Sequence, residues 1–289
     1  MAVFVHFMSG PKGFEWNVSP EIFSIGFFTL RWYSLMFIIS FLLGYYIVQR
    51  IYQEEGKPDE YMEALFYFVF AGTIIGARLG HCLFYEPGYY LANPLEILKI
   101  WHGGLASHGA AIGILSAIYL YARSRKGITF FWTVDRVVIV VALSGFFIRL
   151  GNLFNSEIVG SVTDVPWAFL FPRHEANPLP RHPAQIYEAL AYLAIFFILY
   201  RTYQAKKART EPGLLLGMFL FMVFGFRFFV EFFKEVQTPW ENALPLTMGQ
   251  FLSIPFVLIG LYLYYRAKQA PPVEVAPPPK PAPRKQKKR

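Results

Sequence analysis

The residues best able to do chemistry in this chain begin at Arg149, in the stretch Arg149-Leu150-Gly151-Asn152-Leu153-Phe154-Asn155-Ser156-Glu157-Ile158-Val159-Gly160. It follows directly on an apolar run, Val137 to Ile148. A lone arginine near the centre of a bilayer costs roughly +2.5 to +3.5 kcal/mol, so one placed beside such a run needs a reason. Arginine holds phosphate as a planar, permanently charged fork, and two Asn, a Glu and two Gly within twelve residues supply hydrogen bonds and backbone freedom around it. A second cluster is Gly103-Gly104-Leu105-Ala106-Ser107-His108-Gly109. A histidine at a helix start can act as a base near neutral pH, and helix N-termini favour anions. His182, Gln185, Tyr187 and Glu188 open a later apolar run, Arg227 and Glu231 lie one turn apart in another, and Tyr33 follows Arg31 and Trp32 early in the chain. No HExxH, GxSxG or phosphate-loop pattern is present.

The elements that must position these groups follow from composition. The 289 residues are 55% hydrophobic and only 16% charged, against about 25% charged in a soluble domain. That balance, with 19% aromatic residues, places the chain in a membrane. The single cysteine, Cys82, excludes an internal disulfide framework and a cysteine-based zinc site. No cleavable signal peptide is evident at the start. Seven segments approach the roughly 20 apolar residues that a membrane span needs: Phe23–Val48, Met62–Phe84, Ala106–Tyr121, Phe131–Ile148, Ala184–Tyr200, Leu214–Phe233 and Met248–Tyr265. The expected fold is therefore all-α and polytopic, with seven transmembrane helices. Lys and Arg concentrate in alternate connections (Arg50 and Lys57; Arg123, Arg125 and Lys126; Arg201, Lys206, Lys207 and Arg209) and in the tail, which puts the N-terminus outside and the C-terminus in the cytoplasm. Residues 1–269 are expected to form one seven-helix transmembrane domain with a long polar external loop over 152–183, and residues 270–289 a disordered Pro/Lys/Arg-rich tail. Much of the net charge of +8 sits in that tail, which suits anionic headgroups; a nucleic-acid role for it has little support.

With this orientation, Tyr33, Arg78, His81, His108, Arg149, His182, Arg227 and Glu231 all fall in the outer half of the bilayer. Arginines gathered at one level with few acids imply a bound anion, most simply a phospholipid headgroup. Arg136, beside Asp135 at the cytoplasmic end, is expected to snorkel. Arg78 reads as an interfacial anchor or as half of an ion pair, Arg31 as an interface residue, His81 as packing, His6 and His174 as inert, and Glu188 as a partner for a nearby arginine. Gly72, Gly76 and Gly80, with Gly109 and Gly113, read as close helix packing. A lipid or anion transporter would need a charged path into the cytoplasmic half, which only Asp135 and Arg136 approach.

Taken together, the Gly103–Gly109 and Arg149–Gly160 stretches, His182-Pro183-Ala184-Gln185-Ile186-Tyr187-Glu188, Phe226-Arg227-Phe228-Phe229-Val230-Glu231-Phe232-Phe233 and Arg31-Trp32-Tyr33 resemble the signatures of bacterial phosphatidylglycerol–prolipoprotein diacylglyceryl transferases. The resemblance covers about residues 20–266 in the family's order. It implies a seven-helix inner-membrane enzyme, with its active site toward the periplasm. The reaction moves the diacylglyceryl group of phosphatidylglycerol to the lipobox cysteine of a prelipoprotein signal peptide and releases glycerol phosphate. The implied catalytic residues are His108, Arg149, Arg227 and Tyr33. The implied substrate-binding residues are Arg149, Asn152, Glu157, Gly160, Gly104, His182, Gln185 and Glu231. No metal and no cofactor are implied, and the partners are the two substrates and membrane lipids. Three positions depart from the usual pattern: Ile148 and Ser156 stand where glycine is common, and Val223 where tyrosine is common. Lys234 stands where arginine is common.

Overall fold

The computed structural model describes residues 13–26, 28–100, 103–235 and 244–271, and these fold chiefly into helices. They are α1 (Trp32–Glu54), α2 (Asp59–Phe84), the short α3 (Pro87–Ala92), α4 (Ser107–Ser124), α5 (Phe130–Phe154), α6 (Ala184–Lys206), α7 (Leu214–Val230) and α8 (Met248–Gln269). Strand β1 (Phe14–Glu15) pairs in parallel with β4 (Phe169–Leu170), and β2 (Glu21–Ile25) pairs antiparallel with β3 (Phe28–Arg31). Among the described residues, six helices are long and apolar enough to cross a membrane: α1, α2, α5, α8, and α6 and α7 with the 3-10 turns that continue them. The expected third span, Ala106–Tyr121, is the helix α4. It falls outside the six because Ser107 and His108 at one end and Arg123 and Ser124 at the other leave little apolar length. His6, His102 and the expected tail from 272 onward lie outside the described residues.

Two expected boundaries move. The first helix begins at Trp32, not Phe23, because Gly26 (φ +59°) turns the preceding apolar residues into the β2–β3 hairpin. Tyr33 consequently sits in the first turn of α1 and not deep within a span. The helix carrying Arg149 runs on to Phe154, so Arg149 is not its last residue and shares a helix face with Asn152 one turn on. The 152–183 region is folded, not a loose loop: β1 docks on β4, Trp16 Nε1 donates to the Leu153 carbonyl at 2.9 Å, and Leu153, Val159 and Phe171 form a small second core.

Helix α5 is the axle of the bundle. It is apolar on nearly every face, which suits a helix surrounded by others, and it packs on α1, α4, α6 and α7. At its start, Thr129 caps the helix through Trp132 N–H, and Asp135 is fully buried. The Asp135 carboxylate accepts from the backbone N–H of Gly213 (2.7 Å) and Leu216 (2.8 Å), capping the N-terminus of α7 across the bundle. Arg136 does not snorkel. It is 1% exposed and forms a bidentate pair with Glu55, Nε to Oε1 at 3.0 Å and Nη2 to Oε2 at 3.1 Å, while stacking on Trp132. Glu55 is the first residue beyond α1, and pairing inside the protein replaces the water the guanidinium would otherwise seek.

Helices α2 and α4 pack antiparallel along the expected glycines. A Cβ on Gly72 would lie 2.6 Å from the Ala117 Cβ and 2.7 Å from the Gly113 carbonyl, and one on Gly80 would lie 2.6 Å from the Gly109 Cα. Gly217 of α7 and Gly260 of α8 make the same contact elsewhere: a Cβ on Gly217 would meet the Tyr264 amide nitrogen at 2.6 Å. Because the obstructing atoms are backbone, the helices must separate to admit a side chain. Gly113→Val is expected to destabilise the protein by about 1–3 kcal/mol, the cost of overpacking. Gly88→Ala, where an added Cβ meets nothing within 4 Å, should be close to neutral. Thermal unfolding of both variants in detergent compares them, and equal melting would contradict the packing account.

Candidate active site

A cavity of about 550 Å³ opens where α5, α6, α7 and the starts of α1, α4 and α8 meet, and its lining includes Tyr33, Ser107, Arg149, Asn152, Arg227 and Glu231. That volume falls within the range of small-ligand sites. The charged groups around Arg149 and Arg227 form one chain of contacts, while Glu235, also in the lining, pairs with Arg181 and His174. Arg149 Nη1 donates to Asn152 Oδ1 at 3.2 Å, and Asn152 Nδ2 donates to Glu157 Oε1 at 2.7 Å. On its other side, Arg149 Nε lies 3.2 Å from Glu188 Oε2, an ion pair set off the hydrogen-bond axis. Glu188, fully buried, also faces Lys234 Nζ at 3.3 Å through Oε1. Lys234 then donates to Glu231 Oε1 at 3.0 Å, and Arg227 Nε stands 3.9 Å from that same oxygen with no hydrogen-bond partner. Three cations, Arg149, Arg227 and Lys234, thus alternate with two carboxylates, Glu188 and Glu231. Arg227, with a side chain 37% exposed, is held most loosely.

Local structure explains how each group is aimed. Tyr33 lies over Gly151, where a Cβ would come within 2.7 Å of its ring, so glycine in mid-helix lets the phenol reach the arginine face of α5. Trp32 stacks on Phe154 with ring centroids 4.7 Å apart and fixes the start of α1 on the end of α5. Glu157 is held between two residues of positive φ, Ser156 (+54°) and Ile158 (+57°), and Ile158 lines the cavity. Gln185 Nε2 donates to the Glu157 carbonyl at 2.7 Å, and Asn155 Nδ2 to its carboxylate at 3.2 Å. Thr247 caps α8 in a reciprocal box with Gln250, and its hydroxyl lies 3.4 Å from Glu231 Oε2.

The left-handed backbone at Ser156 accounts for the glycine usual at that position. Its hydroxyl is also buried without a hydrogen-bond partner. Ser156→Gly is expected to raise stability by up to about 1 kcal/mol, the cost of a non-glycine residue in this region less the entropy glycine loses on folding. Equilibrium unfolding compares it with the parent chain, and a clear loss of stability would contradict the strain account. Ile148 lines the cavity from regular helix, and nothing in the structure explains the departure at Val223.

Not every expected residue reaches the cavity. Tyr33, Arg149, Asn152, Arg227 and Glu231 line it, while Glu157 and Gln185 support it from behind. Gly160 is a packing crossroads: its N–H donates to the His182 carbonyl at 3.0 Å, and its own carbonyl accepts from Arg181 at 3.2 Å. His182 Nδ1 pairs with the Tyr187 hydroxyl at 3.1 Å, and burial lowers its pKa, which favours the neutral imidazole. Gly104 (φ +72°) abuts His81 and Arg78. His108 is exposed and packs edge-on against Phe84, with Tyr85 beside it. Successive helical residues point about 100° apart, so Ser107 faces the cavity while His108 turns aside. Arg78 is neither a free anchor nor a carboxylate partner in its recorded bonds. It donates to the carbonyls of Glu96, Ile97, Gly103 and Gly104 and pins the α3 region to α2. Arg181 clamps Glu175 at 2.8 Å and holds that carboxylate down from its ordinary value to about 2, so the 152–183 region keeps this clamp throughout the neutral range. Ser107 and Tyr192 are cavity residues to which the sequence assigned no role, and Lys234, noted there only as a basic residue in place of arginine, also lines the cavity.

Fold and site together define a polytopic helical membrane protein with a cation-rich, partly enclosed cavity near one end of its bundle. The prolipoprotein diacylglyceryl transferase family profile matches residues 20–266. Among similar proteins, the phosphatidylglycerol–prolipoprotein diacylglyceryl transferase of Chloroherpeton thalassium is 51% identical over 256 residues, covering 88% of this chain and 95% of that protein. Proteins of the same name from Tolumonas auensis (48% identical; 86% and 95% covered) and Porphyromonas gingivalis (43% identical; 91% and 98% covered) match over similar lengths. The chain belongs to the prolipoprotein diacylglyceryl transferase family.

Proposed function

We infer that this chain transfers the diacylglyceryl group of phosphatidylglycerol to prolipoproteins, the first step of lipoprotein maturation, and that the Arg149–Arg227 cavity is where transfer takes place. The observation that carries the site is the pair of guanidinium groups lining one partly enclosed cavity, each leaving donors for a phosphate. The lipobox thiolate attacks the glyceryl carbon bonded to the phosphate oxygen. A C–S bond forms, the C–O bond breaks, and its electron pair leaves with glycerol phosphate. Arg149 and Arg227 stabilise the charge that builds on that leaving group, and donors already in place in a water-poor site act most strongly. Tyr33 donates a hydrogen bond to the headgroup, and Asn152 and Glu157 hold Arg149 in its rotamer.

His108, beside Ser107 at the cavity rim, either takes the proton from the substrate thiol or orients the lipid. In a His108→Ala variant, recovery of transfer above about pH 8.5, where cysteine ionises unaided, marks the proton role, and no recovery marks the orienting role.

On this reading the cavity faces the outer side of the bacterial inner membrane, and α4 is a seventh, shorter span. Support comes from Arg50, Lys57, Lys126, Lys207, Arg266 and Lys268, which all lie at the helix ends away from the cavity. The reading is tested by mixing purified protein, phosphatidylglycerol and a lipobox peptide and following the peptide's mass. The expected result is a gain of one diacylglyceryl group with release of glycerol phosphate. An unchanged peptide, under conditions in which a relative is active, would overturn it.

A further inference from the structure

We propose that Lys234 is a positioning residue that keeps Glu188, behind the cavity, and Glu231, in its lining, from neutralising the two arginines, so that both guanidinium groups stay open to the lipid phosphate; this rests on the site reading above. Lys234 lines the cavity, its side chain is only 6% exposed, and its ammonium lies between Glu188 Oε1 (3.3 Å) and Glu231 Oε1 (3.0 Å). Each of those carboxylates also faces an arginine. Glu188 reaches Arg149 off axis, and Glu231 Oε1 stops 3.9 Å short of Arg227 Nε.

Without the ammonium, two buried carboxylates would face two arginines and nothing else of positive charge in this chain of contacts. Buried ions pair as tightly as geometry allows, and a bidentate carboxylate–guanidinium pair would occupy the fork a phosphate needs. Lys234 prevents that collapse by drawing one oxygen of each acid to itself. It stands at the end of the 3-10 turn Glu231–Phe233, and its backbone is fixed by a bridge to Gly160, so the ammonium is held from both directions. Gly160 thereby gains a reason to be glycine: a Cβ there would strike His182 and come within 2.7 Å of the Phe233 carbonyl, pushing this segment away.

The test is transfer kinetics with mixed micelles of varied phosphatidylglycerol content. Lys234→Met is expected to raise the apparent KM for phosphatidylglycerol at least tenfold, and Lys234→Arg to keep it within about threefold of the parent. Adding Glu231→Gln to Lys234→Met removes the carboxylate that collapses on Arg227 and should lower KM at least threefold from that of Lys234→Met, with Glu188 still free to close on Arg149. A purely structural lysine would show no such recovery. An unchanged KM in Lys234→Met, or a double variant as impaired as Lys234→Met, overturns the proposal. Should Lys234→Met fail to fold, Lys234→Gln takes its place with the same criteria. Arg149→Ala run alongside separates the two levels: if it retains full transfer the site reading fails, whereas an inactive Arg149→Ala with a normal Lys234→Met sinks this inference alone.

Discussion

Arg149→Ala is expected to abolish measurable transfer, with a fall of at least about 10³-fold, while the protein still folds. Loss of a single transition-state donor costs about 10²–10³ in turnover. Here the substitution also frees Asn152 from its guanidinium partner and leaves Glu188, fully buried, facing the proposed phosphate position. A carboxylate beside a phosphodiester repels it, so both binding and catalysis suffer. Arg149→Lys should recover little, because an ammonium cannot bond Asn152, pair Glu188 and present a fork to phosphate at once. Single-turnover rates with the peptide in excess measure this, and circular dichroism in detergent checks the fold. An Arg149→Lys rate within tenfold of the parent would show that charge alone, not fork geometry, is what the site uses.

The second large effect lies at the opposite end of the bundle and concerns stability. Glu55→Ala removes both carboxylate acceptors of the buried Arg136 guanidinium, leaving it only the carbonyls of Trp132 and Lys207, and also removes the acceptor of Trp132 Nε1. Breaking one side of a buried pair costs about 3–5 kcal/mol, because the surviving charge has no solvent. Replacing both members with apolar residues, as in Glu55→Leu with Arg136→Met, should recover most of that loss, since no charge is then left unpaired. Denaturant unfolding in detergent reads both variants. Turnover per folded molecule should stay close to that of the parent, because Glu55 and Arg136 lie at the helix ends away from the cavity. If Glu55→Ala unfolds like the parent, the pair contributes nothing and Arg136 is stabilised by its stacking on Trp132 and Tyr203 and by the Trp132 and Lys207 carbonyls.

These two arginines also mark what a sequence can and cannot convey. Arg149 and Arg227 stand out because charge inside an apolar run is costly, and that cost is visible without coordinates. The glycines of α2 and α4 were equally legible, since spacing of four on a helix means one face and small residues mean close approach. Pairing across the chain was not. Arg136 was expected to reach for water because its neighbour Asp135 was the only acid in view. Its true partner, Glu55, is distant in sequence, and Asp135 is spent on capping α7. The same blindness hid Lys234, whose meaning depends on Glu188 from another helix. The hairpin before Trp32 was missed for a different reason: a short apolar run fits strand and helix alike, and one glycine decided it. His108 shows the finest limit, since sequence put it at the right helix end while one step of rotation decided that Ser107, not His108, faces the cavity.

The central claim is that Arg149 and Arg227 hold the phosphate of phosphatidylglycerol, and binding tests it more directly than turnover. Native mass spectrometry of the purified protein, released from micelles containing equal phosphatidylglycerol and phosphatidylethanolamine, reports which lipid is retained when no peptide is present. The parent protein should keep phosphatidylglycerol preferentially, and the folded Arg149→Ala/Arg227→Ala variant should lose that preference. A double variant that retains phosphatidylglycerol as the parent does would contradict the account.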